Sequence, residues 1–176
     1  MTEVANQNLN THFNQSYEEF SDAIFRYCLY QTSNREKALD LTQDTFIKTW
    51  EYLSNGKKVD NLRAFLYKVA GNLVIDYRRK KKAESLDSMT EAGFDVKDEI
   101  NEMAQKENVY EKDFALKVIE QLDEKYKEVL LLKFTEDMSI QEIAKIMNQS
   151  INNISVRLHR GIAQLKEIMA HHELVK

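Results

Sequence analysis

Apolar residues recur along this chain at the three- and four-residue spacing of amphipathic helices, with short polar stretches between the runs. The pattern predicts helices at about 17–30, 35–53, 61–82, 109–122, 123–134, 139–147 and 150–170. Between residues 82 and 109 the apolar positions are too sparse and irregular for a helix that faces a core. We therefore predict an all-α protein with a tail at 1–15, a first helical domain at 16–82, an acidic linker at 83–108 and a second helical domain at 109–176.

The composition agrees with the prediction of an all-α protein. The 176 residues include no proline and four glycines, so the two strongest helix breakers are nearly absent. Cys28 is the single cysteine and cannot form an internal disulfide, and the polar N-terminus lacks the features of a signal peptide. No apolar run approaches the roughly 20 residues that span a bilayer. These features predict a soluble, cytoplasmic protein.

Charge is segregated along the chain, although the formal net charge is −4. Basic residues concentrate at Arg78–Lys82 and between Arg157 and Lys166, whereas Ala83–Glu107 carries eight acidic residues against two lysines. Because Lys and Arg drive the binding of phosphate groups, the two basic segments remain candidates for contact with nucleic acid.

The stretch "MSIQEIAKIMNQSINNISVRLHRGIAQLKE", residues 138–167, has the spacing of a helix-turn-helix. Ser139 and Glu142 form the pattern of a capping box, and Asn148 is suited to a left-handed corner between the two helices. The inward positions of the second helix include Ile154, Leu158, Gly161 and Leu165. Its opposite face mixes amide, imidazole, guanidinium and small apolar groups, which can contact base edges in the major groove. Pairs of short helices also occur in ordinary bundles, so this motif alone leaves both interpretations open.

The helix predicted at 35–53 carries an unusual outward face. We expect its core face to contain Leu39, Thr42, Phe46, Trp50 and Leu53. The outward side chains are polar or acidic with one isoleucine among them, namely Asp40, Gln43, Asp44, Ile47 and Glu51. Such a patch is typical either of a docking site for a protein or of an ordinary solvated surface.

The helix predicted at 61–82 interleaves aromatic, amide and cationic groups on its outward face, namely Tyr67, Lys68, Asn72, Arg78 and Arg79. Bases of a single strand stack on rings while phosphates meet Lys and Arg, so this surface favours single-stranded nucleic acid. The alternative is a basic helix C-terminus that complements the helix dipole.

The two halves together resemble a bacterial RNA polymerase sigma factor of the extracytoplasmic-function class, a group within the sigma-70 family that has only the second and fourth sigma regions. The resemblance rests on "ALDLTQDTFIKTWEYL" at 38–53, "NLRAFLYKVAGNLVIDYRRKKK" at 61–82 and "LDEKYKEVLLLKFTEDMSIQEIAKIMNQSINNISVRLHRGIAQLKE" at 122–167. It implies a transcription initiation factor without enzymatic activity that binds core RNA polymerase and promoter DNA and helps to melt the minus-ten region. It also implies an anti-sigma factor as a partner.

The resemblance further implies roles for particular residues. The polymerase would contact Asp40, Gln43, Asp44 and Ile47. The melted minus-ten strand would meet the loop at 54–60 and the following helix, through Asn55, Lys57, Lys58, Asn61, Tyr67, Lys68, Asn72, Arg78 and Arg79. The minus-thirty-five element would be read by Asn152, Asn153, Ser155, Val156, His159 and Arg160, with Arg157 and Lys166 nearer phosphates. Asn152-Asn153 stand where the family commonly has Gly-Thr, which implies base recognition unlike that of better-known members.

Two other classes of function compete with this interpretation. A free-standing helix-turn-helix regulator would bind palindromic duplex DNA as a dimer without polymerase. A helical adaptor with no nucleic-acid role would leave the basic segments without a purpose. The sequence contains no catalytic constellation, and His171 and His172 have no third ligand at a suitable spacing, so we expect no metal and no cofactor.

Overall fold

The computed structural model describes residues 3–88 and 118–173. Six helices are found there: α1 (Glu3–Thr32), α2 (Arg35–Ser54), α3 (Leu62–Ser88), α4 (Glu124–Phe134), α5 (Ile140–Ile146) and α6 (Ile151–Glu173). Residues 118–120 are also helical, and no β-strand occurs in either described range. The all-α prediction is confirmed. The chain divides into two compact units, Met1–Asn101 and Glu102–Lys176.

In the first unit α1, α2 and α3 pack against one another. All three helices contribute large and small apolar side chains to a shared core, namely Ile24, Tyr27, Cys28, Ala38, Leu41, Phe46, Leu66, Tyr67, Ala70 and Val74. A three-helix core of this kind fixes the outward faces of α2 and α3 in one orientation.

Helix α1 begins at Glu3, much earlier than the expected start near residue 17 and inside the segment interpreted as a tail. The ring of Phe13 lies 5.0 Å from the ring of Trp50 and 6.1 Å from that of Phe46, measured between centroids. These contacts with α2 stabilise a stretch whose own apolar pattern is weak, because burial of aromatic surface outweighs local helix propensity.

Asn34 caps the start of helix α2, since its side chain accepts a hydrogen bond of 2.8 Å from the Lys37 N–H. The preceding Ser33 adopts a left-handed backbone with φ 51°. The expected core face of α2 is partly wrong: Leu39 is 42 % exposed, whereas Ala38, Leu41 and Thr45 are buried. Packing of α1 and α3 on α2 centres the buried face on these residues and turns Leu39 outward.

Three threonines on the buried face of α2 form hydrogen bonds with the backbone of their own helix. Thr42, Thr45 and Thr49 each donate to the carbonyl four residues earlier, at 2.6, 2.7 and 2.7 Å. Their polarity therefore adds no unpaired group to the core.

Helix α3 continues to Ser88, six residues beyond the expected end at 82. Its last residues occupy the start of the segment predicted as an acidic linker, and the rest of that segment lies outside the described residues.

In the second unit α6 packs closely on α4 and α5. The predicted capping box is confirmed: Ser139 Oγ accepts from the Glu142 N–H, and Glu142 Oε2 accepts from the Ser139 N–H. The predicted left-handed corner is also confirmed, with Asn148 at φ 51°. These local devices hold α5, the turn and α6 as a helix-turn-helix.

Candidate binding surfaces

The outward face of α6 presents polar and cationic side chains along one side of a 23-residue helix. Ile154 and Gly161 are buried as expected, while Leu158 and Leu165 are half-buried. The eight residues predicted for base and phosphate contact all reach the surface: Asn152, Asn153, Val156, His159, Arg160 and Lys166 are exposed, and Ser155 and Arg157 are half-buried. The structure therefore brings these residues together on one helix.

The beginning of α6 is fixed by its own side chains. Ser150 Oγ accepts a hydrogen bond of 3.2 Å from the Asn153 N–H, and the Ser155 hydroxyl donates to the Ile151 carbonyl at 3.0 Å. Both contacts lie in the first turns of the helix. The amides of Asn152 and Asn153 are thus presented from a capped helix end, which suits hydrogen bonding to base edges.

The outward face of α2 is exposed as predicted, because Asp40, Gln43, Asp44 and Ile47 all face solvent. Asp40 Oδ2 lies 3.1 Å from Lys37 Nζ, and this hydrogen bond raises the pKa of Lys37. The apolar part of the surface is larger than the sequence indicated. Leu39 is exposed two turns before Ile47, which is 54 % exposed, with Gln43 between them. Leu39, Gln43 and Ile47 follow one another at intervals of four residues, and this spacing was the signal that could have revealed Leu39 as a surface residue.

Asn55 and Asn61, two of the predicted site residues, lie at the two ends of the loop between α2 and α3 and cap the adjoining helices. Asn55 Nδ2 donates to the Glu51 carbonyl at 2.8 Å, and Asn61 Oδ1 accepts from the Ala64 N–H at 2.9 Å. Lys57 Nζ lies 4.8 Å from the ring centroid of Tyr52, and Lys58 is exposed. The loop therefore offers two lysines to an anion while its asparagines hold the flanking helices.

On α3 the structure separates the predicted nucleic-acid residues into two groups. Lys68, Asn72 and Arg79 are exposed, and Arg79 lies 3.8 Å from Asp76. Arg78 is half-buried and donates to the Gln31 backbone carbonyl at 2.8 Å and to the Gln31 side-chain oxygen. Arg78 thus joins α3 to the end of α1, and we correct its predicted role as a strand-contacting residue.

The prediction for Tyr67 is wrong. Its side chain has 0 % exposure, and its ring meets the ring of Tyr27 edge-on with 5.4 Å between centroids. The Arg63 guanidinium carbon lies 6.0 Å from the Tyr67 ring. A base cannot stack on a ring enclosed in the core. The spacing of Tyr67 with Ala70 and Val74, three and seven residues later, was the sequence signal for burial.

Metal-binding clusters and membrane-spanning helices are both absent from the described ranges 3–88 and 118–173. No group of three or more His, Cys, Asp or Glu side chains there is arranged to hold a metal ion. Within those same ranges no helix combines the length and the apolar character needed to cross a membrane.

Comparisons with known proteins bear on both units. Residues 16–84 match the family model for sigma-70 region 2, and residues 115–165 match the model for sigma-70 region 4. The chain is similar to the RNA polymerase sigma factor YlaC of Bacillus subtilis (strain 168), with 26 % identity over 159 residues that cover 87 % of this chain and 89 % of the relative. It is also 26 % identical to the ECF RNA polymerase sigma factor SigW of the same organism, over 84 % of this chain and 83 % of the relative.

Solved structures agree with the sequence relatives. The sigma factor RpoE from Bartonella quintana, solved in complex with the anti-sigma factor NepR, superposes with a TM-score of 0.76 at 26 % identity, over 90 % of this chain and 97 % of that one. CnrH, solved with the cytosolic domain of CnrY, shares the fold with a TM-score of 0.69 at 20 % identity, over 92 % and 90 % of the two chains. With both regions matched in order and relatives of the same class covering most of its length, the chain belongs to the sigma-70 family of RNA polymerase sigma factors, in the extracytoplasmic-function class.

Proposed function

We propose that this sigma factor recognises promoters with α6, docks on core RNA polymerase with α2 and captures the melted minus-ten strand with the loop and outer face of α3. Sigma factors are regulatory transcription factors that bind core RNA polymerase and promoter DNA, and they are not catalysts. The division of these tasks among particular residues is our proposal.

The observation that carries the proposal is the outward face of α6. A capped helix after a left-handed corner exposes Asn152, His159 and Arg160 on one side. Such side chains form hydrogen bonds with base edges, and the exposed methyl groups of Val156 suit contact with a thymine methyl. We propose that this face lies in the major groove of the minus-thirty-five element, with Arg157 and Lys166 directed to phosphates.

The proposed polymerase surface comprises Asp40, Gln43, Asp44 and Ile47. Its exposed isoleucine lies among acidic and amide groups, and such an apolar centre with a polar rim is common at protein interfaces. We propose that it docks on the clamp helices of the largest polymerase subunit.

For the minus-ten strand we propose the exposed cations and amides around the loop and α3: Asn55, Lys57, Lys58, Asn61, Lys68, Asn72 and Arg79. Phosphates would meet the cations, and a base extruded from the melted duplex would be read by polar groups of the loop. Helping to hold the open strand in this way would favour melting of the promoter.

An anti-sigma factor is a further proposed partner, because RpoE was solved in complex with the anti-sigma factor NepR. A free-standing regulator is not favoured, since such a protein has no need of a region that matches sigma-70 region 2.

The proposal is tested by separating two activities. Arg160→Ala should weaken recognition of a promoter fragment by the reconstituted holoenzyme while leaving its capture by core RNA polymerase unchanged. Asp44→Ala combined with Ile47→Ala should weaken capture by core RNA polymerase in the absence of DNA. If both proteins remain folded and lose polymerase affinity equally, the assignment of roles is wrong.

A further inference from the structure

Gln31 of α1 and Arg78 of α3 form a hydrogen-bonded clasp between the two helices. Arg78 Nη2 donates to the Gln31 backbone carbonyl at 2.8 Å and also to the Gln31 side-chain oxygen. One nitrogen therefore reaches two oxygens of a residue that lies 47 positions away in the sequence. None of the tasks proposed above uses this clasp.

The backbone oxygen of the clasp belongs to the C-terminal end of α1. This helix ends at Thr32, and the last four carbonyl groups of a helix lack a partner within the helix itself. Arg78 supplies a donor for one of them, and its positive charge lies where the helix dipole is negative. Arg78 thus caps α1 from α3.

The side chain of Gln31 uses its oxygen in the clasp and leaves its nitrogen unpartnered. The residue is 3 % exposed, and its Nε2 group has no hydrogen-bond partner among the described residues. A buried donor without a partner destabilises a protein, and a leucine of similar size would avoid that penalty. Stability of the core alone therefore does not account for a glutamine here, whereas its contact with Arg78 does.

The clasp lies where α3 leaves the core of the first unit. Val74 is the last residue of α3 in the buried core, Arg78 is half-buried, and every residue from Arg79 to Glu84 is exposed. At a rise of about 1.5 Å per residue, Lys82 lies about 12 Å beyond Val74. Without the clasp, a small tilt or roll of this end of α3 would displace its side chains relative to the core.

The exposed end of α3 is strongly basic, with cations at Arg79, Lys80, Lys81 and Lys82. Successive side chains of a helix are about 100° apart, so these cations point to different sides. A charge-assisted hydrogen bond to a phosphate needs a separation of about 2.7–2.9 Å. The direction and roll of the helix therefore decide which of the cations meet a DNA backbone.

We propose that Gln31 and Arg78 are positioning residues for promoter binding, because their clasp fixes the direction in which the basic end of α3 meets DNA phosphates. The same contact fixes the roll of α3, and with it the direction of Lys68 and Asn72. This inference rests on the proposed function of α3. Arg78 acts through the helix that carries it, and Gln31 acts through Arg78.

The test separates positioning from stability, using full-length variants bound to core RNA polymerase. The probe is a fork-junction DNA that the wild-type holoenzyme selects from a pool randomised over the minus-ten region, and its affinity is measured by fluorescence anisotropy. Gln31→Leu removes the side-chain half of the clasp without a change of charge, and Arg78→Leu removes the whole clasp. The double variant replaces both side chains by apolar groups. Thermal unfolding followed by circular dichroism gives the stability of each variant, and capture by core RNA polymerase without DNA is measured in parallel.

Thr32→Val is the matched control at the same end of α1. It removes the hydroxyl that donates to the Cys28 carbonyl at 2.8 Å and leaves the clasp in place. Lys68→Ala combined with Asn72→Ala tests the proposed function of α3 separately, because both side chains are exposed and lie outside the clasp.

We expect Gln31→Leu to weaken DNA binding by about threefold or more and Arg78→Leu by about tenfold. Thr32→Val should bind DNA like the wild type, and all these variants should be captured by core RNA polymerase equally well. The double variant should unfold at no lower temperature than Arg78→Leu, because it buries no glutamine amide without a partner. It should nevertheless bind DNA no better than Arg78→Leu, since the clasp is still absent.

Four results would overturn the inference. If affinity for DNA follows the unfolding temperature, so that Thr32→Val loses affinity and the double variant recovers it, the clasp is only structural. If Gln31→Leu binds DNA more tightly than the wild type, the released Arg78 contacts DNA directly. If Lys68→Ala with Asn72→Ala binds weakly while both single clasp variants stay within about twofold of the wild type, the clasp has no role and the proposed function of α3 stands. Full affinity in every variant would overturn both proposals.

Discussion

Gly161 places α6 in direct contact with α4, which makes Gly161→Ala an informative perturbation. A Cβ atom at this position would lie 3.0 Å from Tyr126 Cβ, 3.0 Å from Leu130 Cδ1 and 3.2 Å from Leu130 Cγ. Carbon atoms at these distances repel one another, since their favourable separation is about 3.5–4.0 Å. Either α4 or the Leu130 side chain has to move.

Two opposing effects decide the change in the free energy of unfolding. Alanine favours a helix interior over glycine by about 1 kcal/mol, whereas overpacking a well-packed core costs about 1–3 kcal/mol. Tyr126 Cβ is bonded to the α4 backbone, so it yields only if the helix shifts. Leu130 is 5 % exposed and has little space for another rotamer. We therefore place the packing cost near 2 kcal/mol and expect a net destabilisation of about 1 kcal/mol.

The assay is thermal unfolding of the full chain, followed by far-ultraviolet circular dichroism and by tryptophan fluorescence. Trp50 is the single tryptophan and belongs to the first unit, so its fluorescence is an internal control. We expect the transition of the second unit to fall by roughly 4–8 °C while the Trp50 transition stays in place.

A double-mutant cycle identifies the cause of the change. Leu130→Ala removes two of the three close contacts, so Gly161→Ala should be less destabilising in that background by at least about 0.5 kcal/mol. If Gly161→Ala alone raised the free energy of unfolding by about 1 kcal/mol, which is the full gain in helix propensity, the reasoning would be refuted. Such a result would show that α4 and α6 separate at no cost.

Three other expectations follow from the structure. Asn148→Gly should stabilise the second unit slightly and Asn148→Ala should destabilise it by about 1 kcal/mol, measured by thermal unfolding, because Asn148 has φ 51° and a Cβ is disfavoured there. Tyr67→Ala should lower the free energy of unfolding of the first unit by about 3–5 kcal/mol, as read from Trp50 fluorescence in urea, while Tyr67→Phe should change it far less. Burial raises the pKa of Cys28 to about 12, so the reactive thiolate is scarce at pH 8 and a thiol reagent should label the urea-unfolded chain but not the native one, as measured by mass spectrometry. Rapid labelling of the native chain at pH 8 would contradict the burial of that thiol.

Local signals in the sequence were sufficient for much of the second unit. The capping pair of Ser139 and Glu142, and the left-handed corner at Asn148, depend on residues within a few positions of one another. The exposed face of α6 follows from the same regularity, because the helix is long and its buried stripe begins clearly with Ile154. The roles of these residues toward DNA stay predictions, since exposure alone does not assign a base contact.

The first unit was harder to predict because its helices pack on more than one side. The phase of the buried face of α2 is set by α1 and α3 together, which places Ala38 and Thr45 inside and Leu39 outside. Similarly, Tyr67 is buried by its contact with Tyr27, 40 positions away in the sequence. The periodicity of each helix marks candidate positions for burial, and the packing of the partner helices decides which of them are buried.

The threonines of α2 have a consequence for how the family diverges. Because Thr45 and Thr49 direct their hydroxyl bonds to carbonyls of their own helix, each offers its neighbours chiefly a methyl group, whereas Thr42 also contacts the Cys28 thiol. An interface of methyl groups imposes no pairing rule on the opposite helix, so substitutions in α1 or α3 need only conserve volume. We expect many different sequences to satisfy this core, which is consistent with a shared fold at 26 % identity.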